Sequence, residues 1–385
     1  MKLRSRALML CLALLMPGAL GAQTVQVLEL ARPNAVFAEP FSLLRGAREL
    51  PDGRLLVTDW IEQRVAVLDF ARAQVLDRGR IGSGPGEFRL PGALFRLPGD
   101  STLLVDVGNG RLNVLDPDGR IARTFKPPVE AAAAPGGTDD AGRLYFTIPG
   151  WLAATPLPGD SVELAVWGPT TATTRVLARI HGSTRPASNY APEPRVPFVV
   201  FARQDAWTVS RNGQVVIVGG DDYSVSWLRA GGTVRGPSHA SRPIPASAAE
   251  RTAYVRQFLQ SSPTSGRGED GGLGHTPAEM LSDDNVARVV RASAFAESLP
   301  YFRPGDIRVD SQNRVWVGRW LPASDARRYD VFDAQGELIT SVRLPKTRTL
   351  LTIGAESIYL VNVDEDGLQW IERYSFPASL ARNGV

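Results

Sequence analysis

The chain has 385 residues, with 43 basic and 40 acidic side chains and a single cysteine, Cys11. Three of the basic residues, Lys2, Arg4 and Arg6, precede the first acidic one, so the rest of the chain has as many basic as acidic residues. This balance, without a Lys/Arg run, argues against nucleic acid or an anionic membrane surface as the main partner. A single cysteine excludes an internal disulfide and a cysteine-based metal site.

Residues 1–22 have the layout of a secretory signal peptide. The basic start is followed by an apolar core at residues 7–16 and then by small residues up to Ala22. This order is typical of a removed signal, and the apolar run is too short to span a bilayer. We therefore expect residues 23–385 to form a single domain that is periplasmic or secreted and has no integral membrane segment.

The rest of the chain contains six copies of one sequence pattern. Each copy is a polar turn, usually with Gly, followed by a short run of aliphatic, β-branched and aromatic residues. The clearest copy is residues 103–120. Repeats of this size indicate units that bury their apolar faces only against one another. At about four strands per unit, they predict an all-β fold, a six-bladed β-propeller. We assign the innermost strands to the runs that begin at Leu55, Leu103, Leu144, Val215, Val315 and Ile358.

The last repeat lacks an outer strand before the chain reaches Val385. An open sheet edge invites association, and a strand from the N-terminus would remove that edge and close the ring. Residues 24–30 are the candidate, so we predict that they pair with the sixth blade. The alternative is a frayed tail, since chain termini are commonly disordered.

The second repeat resembles an NHL repeat. The resemblance lies in residues 81–88, Ile-Gly-Ser-Gly-Pro-Gly-Glu-Phe, and in residues 104–116. NHL repeats build six-bladed propellers, so the resemblance implies that fold. The whole chain is similar to exported bacterial six-bladed propeller proteins, which mostly have no assigned activity. The third repeat departs from the pattern, because residues 147–150 replace the Asp-Val-Gly-Asn of the second.

The long spacing between the fourth and fifth repeats indicates an insertion, residues 244–300, which we predict to be helical. Ser247 begins a capping box with Glu250, and Thr276 followed by Pro277 marks a second helix start. Strands alternate in direction within a blade, so the insertion should leave the ring on the face opposite the loops between first and second strands. Two alternatives stay open: a lid over a channel mouth, or a helix pair packed on the rim.

Candidate ligand-binding residues follow the first five of the six assigned innermost strands. The loops after these strands surround the ring axis, where acidic groups, arginines and tryptophans can form a pocket with an apolar wall and a few oriented polar groups. The alternative for each single residue is structural, since Asp and Asn cap turns and Arg can pair with a neighbouring Asp. The candidates are Asp59, Trp60, Arg64, Asp106, Asn109, Arg111, Trp151, Asp221, Asp222, Tyr223, Arg319 and Trp320.

We therefore predict an exported, monomeric propeller without catalytic activity or cofactor, which binds a protein, peptide or glycan ligand on this loop face. The sequence has no Gly-x-Ser-x-Gly elbow and no histidine pair at metal-ligand spacing. The alternative is a metal-dependent hydrolase or lyase whose ion is held near the axis by some of Asp59, Asp106, Asp221 and Asp364. Calcium suits such oxygen ligands, although the acidic turns lack the spacing of a known calcium loop.

Overall fold

In the computed structural model, six antiparallel sheets follow one another along the chain, as a six-bladed β-propeller requires. The structure describes residues 25–30, 32–127, 134–149, 153, 161–170, 173–182, 199–261, 264–265, 273–274 and 277–381. From the innermost strand outward, blade one consists of Leu44–Glu49, Leu55–Asp59, Arg64–Asp69 and Gln74–Asp77. Blade two consists of Pro91–Arg96, Thr102–Asp106, Arg111–Leu115 and Ile121–Phe125. Blade three consists of Gly137–Thr138, Leu144–Pro149, Ser161–Gly168 and Thr173–His181. Blade four consists of Ala206–Val209, Val215–Val218, Val225–Arg229 and Gly232–Arg235. Blade five consists of Phe302–Val309, Val315–Arg319, Arg328–Phe332 and Leu338–Arg343. Blade six consists of Arg348–Ile353, Ser357–Val363, Gln369–Ser375 and Ala35–Val36.

The runs that we assigned to the innermost strands are instead the second strands of their blades. In blade one the innermost strand is Leu44–Glu49, and Leu55–Asp59 lies between it and Arg64–Asp69. All of Leu55–Asp59 is buried, whereas Leu44–Glu49 alternates between buried and more exposed positions. A strand that is covered on both faces has a continuous run of apolar residues in the sequence. The second strand of each blade therefore gives the strongest strand signal. The candidate loops therefore join second and third strands.

The N-terminal segment closes the ring, but with a different strand from the one predicted. Ala35–Val36 pairs with Gln369–Ser375 and completes blade six. The segment predicted for that position lies one blade back, where Val27–Glu29 pairs in parallel with Leu338–Arg343 of blade five. Leu30 is buried in the cluster between blades five and six, and this apolar packing places the segment there.

Within the described residues, the apolar core of the propeller forms six clusters, each between two neighbouring blades. Two more clusters involve the insertion. Between blades six and one, for example, Leu55 and Leu68 pack with Tyr359 and Ile371, and all four are fully buried. Burying one such side chain contributes about 1.5–3 kcal/mol of transfer free energy. Stability is therefore distributed around the ring, and each blade depends on both of its neighbours.

The insertion between blades four and five begins with the helix that the capping box predicts. Helix α1 is Ala248–Gln260, and the Oγ of Ser247 accepts a hydrogen bond from the Glu250 amide at 3.2 Å. The carboxylate of Glu250 does not return to Ser247 but accepts the amide of Ala323 at 3.1 Å, in the loop of blade five. The cap is thus confirmed, and the second half of the box fastens the insertion to the propeller.

The second helix of the insertion begins later than predicted. Ala278–Leu281 forms a 3-10 turn, and helix α2 is Asp283–Ala292, capped by Ser282. Two acidic residues in the first turn of α2 favour this start through the helix dipole, whereas the predicted cap, Thr276, lies outside the described residues. Within the described part of the chain, no helix has the length and apolar character needed to cross a membrane.

Candidate functional site

The corrected strand order places the candidate loops and the insertion on the same face of the ring. We call this the upper face: it carries the loops between second and third strands and the connections between blades, while the lower face carries the loops between first and second strands. Two contacts fix the insertion there. Arg45, at the upper end of Leu44–Glu49, donates from Nη2 to the carbonyl of Ser261 at 2.8 Å, and Ala323 contacts Glu250. Of the two alternatives for the insertion, these contacts favour a cover on the upper face.

Trp320, one of the candidates, is part of an aromatic row where the insertion meets blade five. Its ring centroid lies 5.2 Å from that of Phe201 and 6.0 Å from that of Tyr254, and Tyr254 stacks on Phe258 at 6.4 Å. The guanidinium of Arg303 lies 4.5 Å from the Trp320 ring centroid. Phe258, at the other end of the row from Trp320, is 41 % exposed. We call Trp320, Tyr254 and Phe258 the upper aromatic row.

In blade one, Asp59 is a structural cap. It is buried, and its carboxylate accepts the backbone amides of Ser42 at 2.6 Å and Ile61 at 3.0 Å, and two further amides beside them. Trp60 is half-buried, with the guanidinium of Arg45 5.7 Å from its ring centroid. Arg64 pairs with Asp77 of the outer strand of the same blade.

In blade two, Asp106 binds both other candidates and fastens a loop. Arg111 Nε donates to its buried carboxylate at 2.7 Å, and Asn109 Nδ2 donates at 2.9 Å. Arg111 also donates to the carbonyls of Ser83 at 2.9 Å and Glu87 at 2.7 Å. The motif that resembles an NHL repeat therefore holds the loop of residues 82–87 against blade two. Asp106, Asn109 and Arg111 thus have the structural role that was the alternative to ligand binding.

In blade four, the three adjacent candidates have different surroundings. Asp221 is exposed, while Asp222 accepts a hydrogen bond from the Ser224 hydroxyl at 2.9 Å and pairs with Arg235. Tyr223 is fully buried and its hydroxyl donates to Asp330 Oδ2 at 2.9 Å. These residues do not converge on one pocket.

Arg319 completes a buried polar network with Tyr223. Its Nη1 donates to Asp330 Oδ2 at 3.1 Å, and its guanidinium lies 4.9 Å from the ring centroid of Tyr223. Burial first, and the negative charge of Asp330 second, raise the pKa of Tyr223 well above its usual value, so the phenol stays protonated and donates. Sequence reasoning missed Asp330, although a lone acid inside the apolar run Arg328–Phe332 is a signal of a buried network.

The structure does not assemble the carboxylates of the metal alternative. Asp364 accepts Trp370 Nε1 at 2.7 Å and the Leu368 amide at 2.8 Å within its own turn. In the described ranges, no three His, Cys, Asp or Glu side chains lie together as metal ligands. Trp151, the remaining candidate, lies outside the described residues.

The central channel of the described structure holds a cavity with a volume of about 800 Å³. The innermost strands of all six blades line it, and its charged lining is unbalanced, with six arginines against three acids. These side chains are Arg45, Arg48, Arg96, Arg211, Arg308 and Arg373, with Glu49, Asp310 and Glu356. Sequence reasoning missed these arginines. Four of them, Arg45, Arg48, Arg96 and Arg308, lie on innermost strands, which carry no continuous apolar run.

Several solved structures are similar to the chain in fold. A Bacteroides fragilis protein described as exported is 11% identical over 91% of this chain and 100% of its own, with a TM-score of 0.48. A gluconolactonase from Xanthomonas campestris is 11% identical over 90% of this chain and 91% of its own, with a TM-score of 0.45. Virginiamycin B lyase from Staphylococcus aureus is 10% identical over 89% and 98%, with a TM-score of 0.40. No protein-family model and no curated protein matches the chain.

Proposed function

We propose that the protein is an exported, monomeric six-bladed propeller without catalytic activity, which binds a protein, peptide or glycan ligand on its upper face. The observation that carries the proposal is the upper aromatic row, Trp320, Tyr254 and Phe258, at the junction of the insertion and blade five. This row lies on the face that carries the candidate loops.

Aromatic rings are suited to each of these ligand types. Their flat faces pack on sugar rings and on apolar peptide side chains, at a low cost in side-chain entropy. Phe258 offers exposed apolar surface, and Arg303 beside Trp320 adds a positive charge to the same region. A ligand that covers Phe258 would therefore bury apolar surface there, and it could contact the guanidinium of Arg303 at the Trp320 end of the row.

The hydrogen bonds of Asp59 and Asp106 support binding without catalysis. A general base or a metal ligand needs a lone pair that is free to meet the substrate or the ion. The carboxylates of Asp59 and Asp106 are instead buried and saturated with donors from their own blades. No observation favours the metal-dependent hydrolase or lyase over this function.

The test is to screen the mature chain on peptide and glycan arrays and to measure the affinity of the strongest hits by calorimetry. Phe258→Ser should weaken a hit by about tenfold, since burying a large apolar side chain is worth on the order of 1.5–3 kcal/mol. The matched control is Ile339→Ser, which removes an apolar side chain of similar exposure, 44 %, from blade five.

Ile339→Ser should leave the affinity unchanged. If Phe258→Ser and Ile339→Ser bound the same ligands equally well, the upper aromatic row would not be the binding site. Turnover of a hit by the purified protein would contradict the non-catalytic part of the proposal.

A further inference from the structure

Three arginines from different blades meet at the lower end of the central channel. Arg48 comes from the innermost strand of blade one, Arg96 from that of blade two, and Arg211 from the loop between the first and second strands of blade four. Both Arg96 and Arg211 lie close enough to lower the pKa of Arg48 through charge repulsion. The cluster is at the opposite end of the channel from the insertion.

Arg48 is the buried member of this cluster. Its side chain is 7 % exposed, and its Nη1 donates to the carbonyl of Ser101 at 3.0 Å, to that of Asp100 at 3.2 Å and to the hydroxyl of Thr102. Its Nη2 is also buried but has no hydrogen-bond partner in the described part of the chain. A buried guanidinium nitrogen without a partner is costly, so a ligand that supplies an acceptor gains from it.

Neighbouring acids leave the positive charge only partly balanced. Asp140 pairs with Arg96 at 3.3 Å and with Arg211 at 3.4 Å, and Asp100 pairs with Arg96 at 3.3 Å. Neither carboxylate pairs with Arg48. Burial, followed by the charge of Arg96, lowers the pKa of Arg48 to about 10, so Arg48 is still a cation at neutral pH.

We propose that this cluster is a binding site for a small oxyanion, a carboxylate or phosphate group, that enters the channel from the lower face. Guanidinium groups bind such oxygens through paired, charge-assisted hydrogen bonds, and they do so best where water is excluded. The free Nη2 of Arg48 supplies the inner donor, and Arg211 supplies a partly exposed one at the mouth. This site is separate from the upper aromatic row and does not depend on it.

The experiment is thermal unfolding of the mature chain titrated with inorganic phosphate or succinate, at constant ionic strength set with sodium chloride. At least one of the two anions should raise the melting temperature saturably, and which one does so identifies the phosphate or carboxylate source. Arg211→Gln should weaken that binding about tenfold, as expected for loss of one charge-assisted contact. Asp140→Asn should tighten it, because a competing carboxylate is removed.

Arg123→Gln is the matched control, since Arg123 is an exposed arginine on the outer strand of blade two. It should bind the anion as the parent does. If neither anion stabilised the protein more than chloride did, the proposal would be wrong. Equal changes in Arg211→Gln and Arg123→Gln would also contradict it, since they would indicate general screening. Arg48→Gln should abolish binding; if it fails to fold, Arg211→Gln and Asp140→Asn decide the question.

Discussion

The hydroxyl of Tyr223 donates a 2.9 Å hydrogen bond to Asp330 across the boundary between blades four and five. Both residues are buried, and Ser341 and Arg319 also donate to the same carboxylate, at 2.6 Å and 3.1 Å. Because these groups come from two blades, the network fixes their relative position at the place where the insertion leaves the ring.

Tyr223→Phe should lower the free energy of unfolding by about 1–3 kcal/mol, because it deletes a buried donor and leaves part of a charged acceptor unsatisfied. Urea unfolding measures this loss. Tyr301→Phe is the control, since Tyr301 stacks beside Tyr223 at 6.0 Å but makes no hydroxyl hydrogen bond in the described structure. A larger loss in the control would show that packing, not the hydrogen bond, matters here.

The raised pKa of Tyr223 also predicts a pH dependence. In the unfolded chain this phenol loses its proton near the ordinary value of 10.0, while in the folded protein it keeps it. Its contribution to stability is therefore complete below pH 10 and is lost as pH rises further. Compared with Tyr223→Phe, the unmodified protein should lose about 1.4 kcal/mol more per pH unit above that point. Parallel curves for the two proteins would show that Tyr223 is accessible to ionisation.

Two truncations separate the roles of the N-terminal strands. A chain that begins at residue 32 lacks Val27–Glu29 and should melt only moderately earlier, because that strand lies at an outer edge. A chain that begins at residue 42 also lacks Ala35–Val36, Phe37 and Phe41, and it should be severely destabilised. Each of these phenylalanines is almost fully buried and worth about 1.5–3 kcal/mol. Equal melting temperatures for the two truncations would contradict the observed closure of blade six.

Substitutions at two glycines with the same backbone conformation can separate the cost of backbone strain from the cost of steric crowding. Gly53 and Gly119 have φ values of +82° and +81°, but a Cβ at Gly53 would meet nothing within 4 Å, whereas one at Gly119 would lie 3.1 Å from Val67. Gly53→Ala should cost about 1 kcal/mol for the left-handed backbone alone. Gly119→Ala should cost more, as measured by urea unfolding, because the Val67 side chain must move. Equal costs would mean that this neighbour gives way freely.

The ring could be predicted from the sequence, but the position of each strand within its blade could not. Each second strand lies between two others and buries at least three consecutive residues or most of its length, so the apolar runs repeat visibly. An innermost strand such as Leu44–Glu49 carries Arg45 and Arg48 toward the channel and leaves no such run. Because the visible runs were assigned one place too far inward, the candidate loops were expected on the face opposite the insertion, whereas both lie on the upper face.

The candidate site was predictable only in its residue types. Asp106 and Arg111 stand out in the sequence because the motif is regular, yet they bind each other and a nearby loop. Arg48, Arg96 and Arg211 lie far apart along the chain, and only the closure of the ring brings them together. No local spacing rule signals such a cluster.

The most direct test of the account is to excise residues 247–296 and to measure acrylamide quenching of Trp320. The two ends are already adjacent, since the amide of Ala246 donates to the carbonyl of Glu297 at 2.9 Å, so a short Gly/Ser link joins them without moving the blades. Excision removes Tyr254 and Phe258 but no propeller strand.

The excised protein should keep its β-sheet circular dichroism and show increased quenching, and the same excision in a Trp320→Phe background should show no such increase. This result would show that the insertion covers Trp320 and completes the upper aromatic row, as the proposed function requires. Unchanged quenching in a folded, excised protein would show that the insertion does not cover the upper face, and it would contradict the account.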